Sequence, residues 1–367
     1  MWLRKLQVDG LRNLQGIELS PGRGLTVIVG RNGQGKSSLL ESIYMLATGR
    51  SFRTRKLDEL VRWGGATIRI EGEVEAKSDH SRLKVILHGK ERRLMVNGAE
   101  KALESYLGRL DLIDLTADRM HALKGSPQER RRFIDRGVVG ISPGYLRALG
   151  EYRRVLQQRN ALLRGGIRSD AAGQLDAWDE RLVAAAQGVH LRRREYLERL
   201  KARSAEIAKV VFPDGEALTL RYRCSPRDAE KSDPSAFSSM FAQALKRQRE
   251  TDQGVGFTTL GPHRDDLAVE LEGNDLRKFG SAGQTRASMV ALKLAKLELL
   301  KEQRGTHPLF LMDDFDADLD EIRARAVAES LAQGGFQTVV ATSKISFIEA
   351  IGVNFDQIHM EKGVAHA

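Results

Sequence analysis

The apolar positions of this chain change rhythm twice. Up to about residue 117 they fall in short runs between turn residues. "LTVIVG" (25–30) is a run of branched residues that reads as a buried strand, and "KSSLLESIYMLATG" (36–49) follows with helical spacing and a closing glycine. "TIRIEGEVEA", "RLKVILHG" and "RRLMVNGAE" read as strands of a meander, with Asn97-Gly98 as the strongest hairpin turn. "LDLIDLT" (110–116) reads as another buried strand.

From about 118 the pattern is helical. "SPQERRRFIDRGV" begins with Ser126, Pro at the first helical position and Glu three residues after the serine, which predicts a capped helix start. "PGYLRALGEYRRVLQQRNALLRGG" and the stretch from 173 to 212 predict two long helices. Leu175, Trp178, Leu182, Ala186 and Val189 recur at threes and fours, so the pair can pack as an antiparallel hairpin. A strand "ALTLRYR" and a helix near 233–249 follow, after which strand patterns return in "LAVEL", "PLFLM" and "FQTVVATS" around a long helix in "GQTRASMVALKLAKLELLKEQ". The expected fold is α/β: one domain made of residues 1–117 and 258–367, interrupted by a helical insertion, 118–257.

Charge makes that insertion more than a spacer. The chain carries +10, from 59 Lys and Arg against 49 Asp and Glu, and residues 118–257 hold 27 of the basic and 18 of the acidic groups. A basic arm of this kind favours a polyanionic partner. The single cysteine, Cys224, excludes an internal disulfide and a cysteine-based zinc cluster. No apolar stretch reaches the length of a membrane helix and no leader-like segment opens the chain, so a cytoplasmic protein is expected.

Two motifs carry the chemistry. "GRNGQGKS" (30–37) fits G-x-x-x-x-G-K-[ST] between a strand and a helix. Backbone N–H groups from Gly30, Arg31, Asn32, Gly33, Gln34, Gly35 and on through Ser38 face phosphates there, Lys36 reaches the outer phosphate oxygens, and Ser37 can ligate magnesium. The second motif, "LFLMDDFDADLD" (309–320), concentrates five aspartates. As a calcium loop counted from Asp314 it places Leu319 where glycine is needed and Arg325 where the bidentate glutamate belongs, so that reading fails. As the end of a buried strand it supplies Asp313 for magnesium and Asp314 as the general base for an attacking water.

In "FGSAGQTR", Ser281, Gly283 and Gln284 stand at the start of a long apolar helix, a second anion site. One nucleotide cannot easily use both sites. An ABC-type head, in which two chains meet head to tail and this motif covers the partner's nucleotide, uses both.

With these residues in view, the chain resembles the RecF family of ABC-type ATPases, nearly end to end. The resemblance is carried by "GLRNL", "GRNGQGKSSLLESIYMLATGRSFRT", "RRRFID", "YRRVLQQRNALL", "GPHRDDL", "SAGQTR" and "LMDDFDADLD". It implies an ABC-type P-loop ATPase head with an inserted helical arm, binding ATP and Mg2+, dimerising with ATP, hydrolysing it slowly and binding single-stranded DNA and gapped or junction duplex. It also implies work with RecR and RecO in loading RecA, and a place in the SOS response. By similarity Arg12 and Asn13 contact nucleotide and Ser281 reaches the partner's. His263 and Arg264 either touch nucleotide or DNA or join lobes structurally. The chain departs from the family at Ala317, where a small polar residue is expected, and no switch histidine follows "FQTVVATS", leaving Thr342 or Ser343 to serve. An energy-coupling transporter subunit is the alternative, opposed by the missing histidine and the arginine-rich insertion.

Overall fold

β3 (Leu25–Val29) is the branched run, and four of its five residues are buried. It lies inside a parallel sheet with β13 (Thr338–Thr342) on one side and β14 (Asp356–Glu361) on the other. Beyond β13 come β12 (Leu309–Met312) and β8 (Leu112–Leu115), both parallel, while β15 (Val364–His366) closes the opposite edge antiparallel. All residues of β12 and β13 are buried, as expected where both faces of a parallel sheet are covered.

The meander is a second, antiparallel sheet in the order β2 (Ile17–Leu19), β1 (Trp2–Asp9), β4 (Thr67–Ala76), β5 (Asp79–His88), β6 (Glu91–Val96), β7 (Ala99–Glu100). Asn97 and Gly98 both have positive φ, 51° and 82°, the backbone that an Asn-Gly hairpin turn requires. The helix Lys36–Thr48 packs against β4 and β5 of this sheet and β8 and β13 of the other. That position explains why Glu41, in the middle of the helix, is fully buried along with Leu39, Leu40, Ile43 and Leu46.

The structure is a computed structural model that describes every residue except 55, 57, 63, 77, 78, 117–120, 143, 166–170, 231 and 367, together with all side chains other than those of 79, 121, 171, 172, 317 and 318 among the rest. The expected boundary at 117/118 and the side chain of Ala317 therefore lie outside the described part. Two units are present: Met1–His121 with Arg203–Ala217 and Gly280–Ala367, and Ala122–Ala202 with Leu218–Phe279. The expected change at 258 comes at 280, because β10 (Asp266–Leu271) pairs with β9 (Leu218–Arg223) and so belongs to the second unit. The last turns of the long helix Ala171–Val211 belong to the first, where Arg203 pairs with Glu302 on the helix Ala282–Arg304.

The second unit combines β9, β10 and β11 (Asn274–Asp275) with the helices Pro127–Ile141, Tyr145–Arg164, Phe237–Val255 and most of Ala171–Val211. Its first helix has the expected capping box between Ser126 and Glu129. Its interior is laced with charge. Arg159, fully buried, reaches Asp179 at 2.6 Å and Asp252 at 2.8 Å. Arg193 joins Asp135 and Asp265, at 2.8 and 2.9 Å, and Arg130 grips Asp266 with two bonds of 2.6 and 2.9 Å.

Candidate functional site

Parallel register ends β3 and β13 level with each other and β12 two residues short of them. Thr342 lies beside Val29, and Met312 beside Val340, so Gly30, Asp313 and Ser343 leave neighbouring strands on the same side. Ligands of open α/β sheets bind at such carboxyl ends. Gly33 and Gly35 have φ of 81° and 109°, which only glycine adopts freely. A Cβ on Gly30 would stand 2.4 Å from the Met360 carbonyl oxygen of β14, so that position also needs glycine.

Lys36 Nζ donates to the carbonyls of Gly30 at 2.6 Å and Arg31 at 3.1 Å. Burial lowers its pKa, while the carboxylates of Asp314, Asp313 and Asp316 oppose that. Ser37 Oγ donates to Asp313 Oδ1 at 3.0 Å. Asp313 is buried, and burial followed by the neighbouring charge of Asp314 raises its pKa; the Ser37 bond, Arg53 and Lys36 pull the other way. A cation placed against this pair relieves both penalties. The two oxygens are the hard donors that Mg2+ takes together with phosphate and water. Asp314 has φ 53° and ψ 51°, a left-handed backbone that costs a non-glycine residue about 1–2 kcal/mol.

A cavity of about 560 Å³ opens here, lined by Asn13, Asn32, Gly33, Gly35, Lys36, Ser37, Ser38, Arg53, Asp314, Asp316 and Ser343. Its size suits a small-molecule ligand, and its loop amides, Lys36 and Arg53 suit an anionic one. Asn13 bridges the motif from outside, donating to the Gly33 carbonyl at 3.2 Å and accepting from Ser38 Oγ at 3.2 Å.

Other expected residues lie elsewhere. Arg12 does not line the cavity: its Nε and Nη2 are 2.5 and 3.2 Å from the carboxylate of Glu41, because a buried carboxylate demands a partner. Gln34 turns to the β14–β15 hairpin, its Oε1 accepting from Lys362 N at 2.5 Å and its carbonyl from Gly363 N at 3.0 Å. Arg31 is exposed. Ser281, Gly283 and Gln284 form the N-terminus of the helix Ala282–Arg304, outside the cavity lining. Ser281 Oγ accepts from Gln284 N at 3.1 Å and Gln284 Oε1 from Ser281 N at 3.0 Å, with Ser281 and Gly283 exposed.

Two residues of the cavity, Arg53 and Asp316, carry no role in the sequence reading. Arg53 comes from "GRSFR": Ser51 Oγ bonds Glu41 and accepts from the backbone N–H of Arg53 at 2.9 Å, so the string meets "GLRNL" at Glu41. "GPHRDDL" has a different destiny, within the second unit. His263 has both ring nitrogens engaged, by Tyr152 Oη at 2.6 Å and the Thr258 carbonyl at 3.0 Å, and burial pushes its pKa down to about 4. Arg264 lies over the Phe257 ring, 5.2 Å from its centroid. Asp265 accepts from Tyr222, Ser225 N and Arg193. The bonds of His263 are structural but stay within the second unit and do not join lobes.

Residues 2–366 match the family described as RecF/RecN/SMC N terminal domain. The DNA replication and repair protein RecF of Myxococcus xanthus is 37% identical over 355 residues, 95% of this chain and 92% of that protein. The RecF of Geobacillus kaustophilus is 35% identical over 353 residues, 95% of this chain and 94% of that protein. A solved structure of a recombination mediator protein RecF with ATP, in the RecFOR pathway, superposes with a TM-score of 0.87 at 28% identity, covering 100% of this chain and 97% of that one. An Smc head domain from Pyrococcus furiosus, 16% identical with a TM-score of 0.57 over 99% of this chain and 95% of that one, shares the fold.

Proposed function

The chain belongs to the RecF family, and from that premise we propose that it is an ATP-dependent DNA-binding switch of replication and recombinational repair. The observation that carries this reading is the cavity where Lys36, Ser37 and Asp314 converge beside Asp313. In this reading the loop amides, Lys36, Asn13 and Arg53 bind the phosphates of ATP. Ser37 and Asp313 hold Mg2+, which when bound neutralises the outer phosphates. Asp314 takes the proton of the attacking water, and its strained backbone sets the direction of that carboxylate. Arg12 serves at one remove, by balancing Glu41 under the loop.

The exposed helix start at Ser281 and Gly283, where the helix dipole favours an anion arriving from outside the chain, supports a head-to-tail homodimer. ATP bound in one protomer then draws the second onto it, and the basic helical unit grips DNA. Hydrolysis is slow and resets the switch. The family relation supports action at single-strand gaps and junctions with RecR and RecO, loading of RecA, and a part in the SOS response. Among the described residues no helix is long and apolar enough to cross a membrane.

The test is particle size and affinity for gapped DNA with ATP, with ADP and without nucleotide. Dimers and tight binding with ATP alone are expected, with log affinity falling by about 0.9 per neutralised phosphate for each decade of salt. Ser281→Arg should keep ATP binding and lose the dimer. Equal DNA affinity in all three states refutes the switch.

A further inference from the structure

Asp316 is a carboxylate of "LFLMDDFDADLD" that lines the cavity and has no role in binding metal or activating water. Its side chain is 7% exposed, at the cavity wall. Thr342 Oγ1 donates to Asp316 Oδ1 at 2.5 Å, and Lys344 Nζ stands 3.9 Å from Oδ2. Thr342 ends β13 and is fully buried. Its hydroxyl also accepts from Lys344 N at 3.0 Å, closing the turn 342–344 around itself. Ser343, between them, lines the cavity.

One hydroxyl thus donates to the segment after β12 and accepts from the segment after β13, using both of its capacities. A third carboxylate beside a cavity built for phosphate is electrostatically unfavourable, an effect that Lys344 partly offsets. The charge is not what the Thr342 bond needs: an amide oxygen at the same place accepts equally well. The bond ties down the end of β13 one residue before Ser343, which lines the same cavity as Lys36 and Ser37.

We infer that Asp316 is a positioning residue: through Thr342 it holds Ser343 at the cavity, and so lets the chain distinguish a nucleoside triphosphate from a diphosphate, acting as a hydrogen-bond acceptor and not as a charge. The inference rests on the nucleotide-site reading above. It gives the turn after β13, which lacks the switch histidine of ABC transporters, a contact to the terminal phosphate by other means.

The experiment is equilibrium titration of the full chain, in magnesium, with ATP under non-hydrolysing conditions and with ADP. Asp316→Ala and Thr342→Val should each lower the preference for ATP over ADP about tenfold, the size of a hydrogen bond to a charged group, with ADP affinity within about twofold of the parent. Combining the two should add nothing, since they remove one interaction. Asp316→Asn and Thr342→Ser, which keep acceptor and hydroxyl, should retain the parent's preference and show that loss is not misfolding. Unchanged preference in Asp316→Ala, or Asp316→Asn as damaged as Asp316→Ala, overturns the inference. Lys36→Ala separates the two levels: if it leaves ATP binding intact, the nucleotide site itself is misplaced and the inference falls with it. If it abolishes binding while Asp316→Ala keeps the preference, only the inference falls.

Discussion

Replacing Gly363 with alanine tests whether the C-terminal hairpin seats the phosphate loop. Gly363 has φ 83°, and a Cβ there would lie 1.9 Å from the Asn13 carbonyl oxygen and 2.9 Å from its carbon. Neither backbone can keep its place. Two bonds break as they separate: Gly363 N to the Gln34 carbonyl at 3.0 Å, and Gln15 N to the Gly363 carbonyl at 2.8 Å. At about 1 kcal/mol each, their loss puts roughly 2 kcal/mol on the segments that carry Gln34 and Asn13. A further 1–2 kcal/mol or so comes from the left-handed backbone itself. Gly98→Ala isolates that second component, because Gly98 has nearly the same φ, 82°, and nothing within 4 Å of the added methyl. Chemical denaturation should therefore show Gly363→Ala less stable than Gly98→Ala by about 2 kcal/mol. ATP titration should show affinity down roughly 10- to 30-fold in Gly363→Ala and unchanged in Gly98→Ala. Matching ATP affinities in the two folded variants would refute the seating argument.

Asp314→Asn should keep ATP affinity within about threefold while single-turnover hydrolysis falls at least ~100-fold, the share of a general base; comparable turnover removes Asp314 from that role. Arg159→Met removes the ion partner of the buried Asp252 carboxylate, while Asp179 keeps Arg249 at 2.7 Å, so denaturant melts should report a loss of about 3–5 kcal/mol, and a loss under 1 kcal/mol or so would mean that the pairs are neutral there. His190 and His263 both have pKa values pushed down to about 4 by burial, against about 6.5 when unfolded. The unfolded chain binds protons that the folded one refuses, so their contribution is complete above about pH 6.5 and lost as pH falls toward 4. Denaturation midpoints should drop from pH 7 to 5, and less so in His190→Phe with His263→Gln.

Local chemistry was legible wherever the determinants were neighbours in sequence. The phosphate loop, its helix, the Asn97-Gly98 turn and the Ser126 capping box each depend on residues within a few positions. Ser281 and Gln284 likewise stand at the helix start expected there, joined as a capping box. Arg12 was assigned by its motif, yet its partner, Glu41, is a helix residue whose burial follows only from two sheets enclosing that helix. Arg53 and Asp316 enter the cavity through Ser51 and Thr342, bonds set by tertiary return. β14, beside β3 in the sheet, and β15 beyond it are far from β3 in sequence and left no pattern that identifies them as the loop's support. The unit boundary moved for a similar reason: β9 and β10 pair across an intervening helix, a relation that periodicity does not express.

The placement of β3 between β13 and β14 also orders events during synthesis. Both strands that flank the phosphate loop's strand are translated after residue 337, and at roughly 5–20 residues per second the ribosome reaches them on the order of 15–60 s after it has synthesised the loop. In that interval "GRNGQGKS" is an open glycine-rich segment with no sheet to seat it. A chain whose loop strand is seated between both neighbours has therefore already been synthesised through the meander, the helical unit and the aspartate strand.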